Sequence, residues 1–152
     1  MTAEGTYEQQ ITKTITIAAP AGRVWQALTV PAQMQQWMSQ TPIEIETDWR
    51  EGSPISIRGP WYKTHFENMG RVVAFRPGQR LCYTHLSSLS HLADEPGSYT
   101  AIDLVLTEGK DGTELLLTLS NFATEAIYRH VNYYWMVSLA MLKRYVEEGK
   151  AW

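Results

Sequence analysis

Few side chains in this sequence can move protons, bind metals or attack a carbonyl. There are four histidines: His65, His85, His91 and His130. No two stand at a ligand spacing, and no His-Glu-x-x-His is present, so no metal and no cofactor are expected. The glycines at Gly5, Gly22 and Gly52 are isolated, and no glycine-rich loop opens a helix to cradle a phosphate. Cys82, the one cysteine, falls between Leu81 and Tyr83 on a strand and reads as a small structural residue rather than an activated thiol. No Gly-x-Ser-x-Gly elbow is found. His85 remains as the candidate catalytic residue. A pocket histidine beside hydroxyl and amide groups could shuttle a proton. The plainer reading is a hydrogen-bonded histidine lining a pocket without chemistry.

The aromatic residues are the second resource. Six Trp and eight Tyr accompany three Phe, and each Trp or Tyr puts a polar atom on an apolar body. Trp61, Tyr62, Phe66, Tyr128, Trp135 and Tyr145 could wall an apolar ligand site. Trp25 and Trp37 read as core, and a core reading is the common one for any aromatic on a helix stripe.

The elements that must position these residues follow from periodicity. Ile11, Ile15 and Ile17 alternate with Thr12, Thr14 and Thr16 in a half-buried strand, and Lys13 on the apolar face suits a sheet edge. A helix starts at Pro20 with Val24, Trp25 and Leu28, and a second starts at Pro31 with Met34, Trp37 and Met38. Strands are expected through Ile43–Thr47, around Ile55 and Ile57, and over Tyr62–Phe75 with a bulge at Gly70. Arg76, Pro77, Gly78 and Gln79 form a turn, and Leu81–Ser87 returns. After a polar loop, Tyr99–Thr107 and Glu114–Asn121 make the last hairpin. Thr124 caps a long helix to Glu148, with Gly149 just past its end. The order predicts an antiparallel meander with one helix across its face.

The turns set a register. Pairing Phe75 with Arg80 brings Val72 beside Tyr83, and pairing Thr107 with Glu114 sets Leu104 opposite Leu117 and Ile102 opposite Leu119. One face then collects Val72, Leu81, Tyr83, Ile102, Leu104, Leu106, Leu115, Leu117 and Leu119; the other collects Arg71, Thr84, Asp103, Thr107, Glu114, Thr118 and Ser120. Toward one end the apolar face turns polar, through Phe66, Asn68, His85, Ser87, Ser98, Thr100 and Asn121. Such a cluster marks either a cavity mouth or strands emerging into water. The cavity reading places His85 and Asn121 in one pocket, between the sheet and the helix bearing Trp135.

Composition bounds the function classes. The chain has 152 residues, 44% hydrophobic and 19% charged, enough for a real core and unlike a disordered chain. Thirteen basic against sixteen acidic residues leave a net charge of −3, which lacks the basic footprint of a nucleic-acid binder. The start, MTAEGTYEQQITKT, has no apolar signal core, and no stretch approaches the ~18 apolar residues of a membrane span. A single soluble cytoplasmic domain over residues 1–152, with no membrane partner, is expected.

Several blocks carry a family resemblance. Ile17, Ala18, Ala19 and Pro20 are followed by Val24-Trp25, Ala27-Leu28, Pro31 and Trp37. Gly70, Arg71 and Val72 come with Pro77 and Leu81; Gly112-Thr113 precedes a leucine strand; Tyr134-Trp135 runs through Leu139, Leu142 and Tyr145 to Gly149. In order and spacing they resemble the activator-of-heat-shock-protein-90-ATPase homologue family, of the START-like (SRPBCC) superfamily. The resemblance implies an α+β helix-grip fold: a curved antiparallel sheet of about six or seven strands around the long C-terminal helix, two short helices after the first strand, and a hydrophobic cavity between. Tyr134 stands where relatives often carry Gly, so the cavity is expected to be narrowed or reshaped.

The favoured expectation is a small domain, monomer or homodimer, binding an apolar or aromatic small molecule. Its site would be formed by Trp61, Tyr62, Phe66, Asn68, Tyr83, His85, Thr100, Ile102, Leu119, Asn121, Tyr128 and Trp135. The alternatives are a cyclase- or hydrolase-type enzyme using His85, and a protein that docks a chaperone partner.

Overall fold

The computed structural model describes residues 7–152; the isolated Gly5 and most of the N-terminal stretch read for a signal core lie outside the described residues. Strand β1 (Gln10–Ile17) leads into helices α1 (Ala21–Thr29) and α2 (Pro31–Met38). Then come β2 (Glu44–Glu46), β3 (Pro54–Trp61), β4 (Thr64–Arg76), β5 (Arg80–Ser87), β6 (Thr100–Gly109) and β7 (Gly112–Ser120), and finally α3 (Glu125–Glu148). All strands join one seven-stranded antiparallel sheet in the order β1-β7-β6-β5-β4-β3-β2. Lys13 thus lies on an edge strand, as its charge requires. Between β5 and β6 the polar loop contains two 3₁₀ turns, Ser88–Ser90 and Pro96–Ser98.

Local chemistry explains the element ends. Pro20 precedes α1 with φ −65°, and Pro31 occupies the first turn of α2, where a missing N–H costs nothing. The Trp37 indole donates to Ala27 O at 2.8 Å and the Trp49 indole to Thr29 O at 2.9 Å, pinning α2 and the segment after β2 onto α1. At the start of α3, Thr124 Oγ1 accepts from Ile127 N–H at 3.2 Å; at its end, Gly149 takes φ 82° and donates to Tyr145 O at 2.7 Å.

The predicted faces hold. Val72, Leu81, Tyr83, Ile102, Leu104, Leu106, Leu115, Leu117 and Leu119 are all buried, on the side covered by α3, and the last hairpin has the predicted pairing. On the outer face Arg80 makes a two-pronged ion pair with Asp103, at 3.0 and 2.9 Å.

Four expectations need correction. Arg76, not Phe75, pairs with Arg80, because Gly78 at φ 75° lets the turn close over Pro77–Gln79. The register shift that restores Val72 to Tyr83 lies between Val72 and Ala74, not at Gly70. Gly70 is needed for close approach instead: a Cβ there would sit 1.7 Å from the Thr84 carbonyl oxygen. The strand expected from Tyr62 begins at Thr64, because Tyr62 turns the β3–β4 hairpin at φ 53°. Trp25 is only partly buried, set edge-on against Phe75 at 5.3 Å.

Candidate functional site

α3 packs chiefly against β1 and α2, and Trp135 near its middle shares one buried core with Tyr83 of β5 and Ile102 of β6. Tyr83 and His85 point inward from β5, and Thr100, opposite His85, begins β6. Tyr83, Thr100, Ile102 and Leu119 are buried. Phe66 and Asn68 lie on the same face of β4 and are half-buried. From above, Trp135 is sealed at 1% exposure, its ring 6.1 Å from Trp37 and 5.6 Å from Tyr134 in an edge-on pair.

His85 and Tyr134 share a particular environment. Each is half-buried. Burial pushes the His85 imidazole down to about 4, with the His130 ring adding to the effect, so His85 is neutral near pH 7. Burial raises both the Tyr83 and Tyr134 phenols, and Tyr134 raises Tyr83 further, which sets the two rings in one neighbourhood. The side chains of Tyr83, His85 and Tyr134 are therefore polar and uncharged near pH 7. Tyr134 O–H donates to Met38 O at 3.2 Å, tying α3 to the end of α2.

The remaining predicted site residues lie apart. Trp61 and Tyr62 pack on each other at 5.0 Å at the β3–β4 tip, 46% and 90% exposed. Asn121 is exposed past the end of β7 at φ 63°, its amide donating to Tyr99 O at 2.6 Å and Pro96 O at 3.3 Å. It anchors the loop before β6 and does not join His85. Tyr128 packs between Tyr7 and Phe122, with ring centroids 5.1 and 5.2 Å away. Missing from the predicted set were Tyr134 and His130. Tyr134 was visible in the helical stripe and in its departure from the glycine of relatives, but nothing in the pattern revealed that it faces Tyr83.

Hollows of about 330 and 530 Å³ open elsewhere, the smaller between β2–β3 and the start of β4 with the predicted site residue Phe66 in its lining, the larger along β2 and the start of β3. In the smaller one Arg58 bonds Glu44 at 3.2 Å, and it also reaches Glu46 at 3.1 Å. Among the described residues no three His, Cys, Asp or Glu side chains cluster as a metal site, and no helix is long and apolar enough to cross a membrane. The buried Cys82 thiol is pushed up to about 11, chiefly by desolvation.

A seven-stranded antiparallel sheet closed on one long C-terminal helix, with a short helix pair after its first strand, defines the helix-grip, START-like class. Residues 18–147 match the profile of the Activator of Hsp90 ATPase homolog 1-like protein family, and the chain belongs to that family. Among solved structures, a protein from Cytophaga hutchinsonii is 32% identical, covering 93% of this chain and 96% of that one, with a TM-score of 0.77. The Aha1 dimer from Colwellia psychrerythraea is 25% identical over 93% of this chain and 98% of that one, with a TM-score of 0.72. CalU16 from Micromonospora echinospora is 25% identical over 93% of this chain and 75% of that one, with a TM-score of 0.71. None of the curated proteins matches the chain.

Proposed function

We propose that this protein is a single-domain binding module that holds an apolar or aromatic small molecule in the recess between β4–β6 and α3. The observation that supports the reading is the set of uncharged polar side chains on the inner face, half-buried His85 and Tyr134 with buried Tyr83, near the Trp135 ring that lies 5.6 Å from Tyr134. Concave, largely apolar sites with a few inward polar groups are where small ligands bind. A cytoplasmic setting goes with this reading, in keeping with one unpaired cysteine. Titration with Nile red, an uncharged apolar dye, tests it: energy transfer from tryptophan and a blue-shifted, saturable dye emission are expected. Native mass spectrometry of the purified protein would reveal a co-purified molecule. No saturable dye binding together with a ligand-free mass would contradict the reading.

The enzyme reading has His85 as its acid–base group. An imidazole held near 4 is a weak base at neutral pH, and proton transfer is most efficient when the catalyst's pKa lies near the working pH. That mismatch favours binding over catalysis. A chaperone-docking role draws on the family's name and on Tyr133 and Met136, which stand exposed on α3. The dimeric Colwellia relative makes self-association a property to measure alongside, by light scattering.

A further inference from the structure

The β3–β4 hairpin ends in an aromatic tip that the turn itself does not require. Trp61 pairs with Thr64, which leaves Tyr62 and Lys63 as the two turn residues. Tyr62 sits at φ 53°, a left-handed conformation that glycine or asparagine adopts at far less cost than a bulky side chain. Its residue is 90% exposed, and its ring stands edge-on to that of Trp61, itself 46% exposed. A large ring held in an unfavourable turn and left in water points to a contact outside the chain. Lys63 beside it is exposed and makes no ion pair among the described residues.

The complement lies at the same end of the same hairpin. Arg58, Gly59, His65 and Phe66 line the hollow of about 330 Å³, together with the carboxylates of Glu44 and Glu67. That is the space of about eleven waters, enough for a tyrosine side chain. Phe66 and Arg58 can each flank an aromatic ring. The charge of the hollow is unbalanced: Glu44 and Glu67 stand against one guanidinium, Arg58, which Glu46 shares. A knob and a hollow side by side form a self-complementary patch, the kind that a two-fold axis closes. An unrelated partner would need only one of the two halves. We propose that the protein pairs with a second copy of itself through this tip: each protomer seats Tyr62 in the other's hollow, and Lys63 meets the carboxylates of Glu44 and Glu67 there. Each tip would bury about 300 Å² of aromatic surface. Two tips and two hollow walls come to about 1,200 Å², the low end for a specific complex, so the dimer is reversible and grows with concentration.

Sedimentation velocity from about 1 µM to about 1 mM tests it. The wild type is expected to pass from monomer to dimer across this range. Tyr62→Gly suits the turn, so the dilute variant should melt within a few degrees of the wild type, yet its dimer should be weaker by at least about tenfold. Lys63→Glu should weaken the dimer by about tenfold at low salt and by much less at about 0.5 M salt, where the new repulsion is screened. On dilution of the ¹⁵N-labelled wild type, the amides of Tyr62 and Lys63 should shift together with those of Glu44, Gly59 and Phe66. A dimer that survives Tyr62→Gly, or tip amides that shift while those of Glu44 and Phe66 hold still, would overturn the exchange. A monomer at every concentration would overturn it as well, and Tyr62-dependent binding to phosphatidylcholine vesicles would then assign the tip to a lipid surface instead.

Discussion

A buried neutral histidine makes stability depend on pH in one direction. The imidazole of His85 falls from an ordinary value of 6.5 to about 4 in the folded protein. Between those values the unfolded chain binds a proton that the native protein refuses, so stability rises with pH across this window. His85 costs nothing above 6.5, and its penalty grows as the pH falls toward 4. At about 1.4 kcal/mol per pH unit the full penalty would approach ~3 kcal/mol. His85 keeps some solvent contact, so roughly 2 kcal/mol is the working figure. Urea melts of the wild type and His85→Gln at pH 7.5, 6.5, 5.5 and 4.5 would measure it. Gln keeps hydrogen-bonding capacity and cannot titrate. Every other titratable group is common to the two proteins, so the difference reports on position 85 and its coupling to His130. The wild type is expected to lose about 2 kcal/mol more than the variant between pH 7.5 and 4.5. Parallel losses would mean that His85 is protonated as readily in the native protein as in the unfolded one, and the uncharged recess would fall with it.

The other expectations concern the frame around the recess. Leu117→Ala opens a void at a fully buried position between sheet and α3 and should cost about 2–5 kcal/mol in chemical denaturation, whereas Asp103→Ala, which gives up the outer-face ion pair with Arg80, should cost about 0.5–1 kcal/mol. A loss below ~1 kcal/mol at Leu117 would contradict the register. Gly70→Ala sets a methyl against the Thr84 backbone and should destabilise by about 1–3 kcal/mol, while Gly22→Ala, in open space on α1, should be neutral or slightly stabilising by thermal melt. Cys82 should react with a thiol reagent at pH 8 only slowly until denaturant is added, since it is buried and its thiol is held near 11.

Strand faces and helix caps were legible in the sequence because each follows from a short-range rule. Leu104, Leu115, Leu117 and Leu119 fall at every second position, with Asp103, Glu114, Thr118 and Ser120 on the other face, enough to favour the observed pairing although Val105 and Leu116 interrupt that face. Thr124 and Gly149 mark the ends of α3 through chemistry confined to one turn. The β4–β5 turn was harder. Turns over three and four residues both suit Arg76–Gln79, and the compensating bulge at Val73 has no residue-type signal. The site was legible only in part. Periodicity says that Tyr83, His85 and Trp135 face inward, but not which helix side chain each one meets. Asn121 illustrates the limit. It continues the alternation of β7, yet it adopts φ 63° and spends its amide on the loop before β6. Trp61 and Tyr62 read equally as strand or hairpin tip, and only the pairing of Trp61 with Thr64 decides between them.

The central claim is that a ligand enters between the sheet and α3, not the outer-face hollows. Backbone amide shifts of the ¹⁵N-labelled protein, followed during titration with Nile red, test this most directly. The largest changes are expected at Tyr83, His85, Thr100, Tyr134 and Trp135, with those at Glu46, Arg58, Glu67 and Ser88 near zero. Shifts concentrated on Arg58, Glu67 and Ser88, with the β5 and α3 amides unmoved, would place binding in the outer hollow and contradict the account.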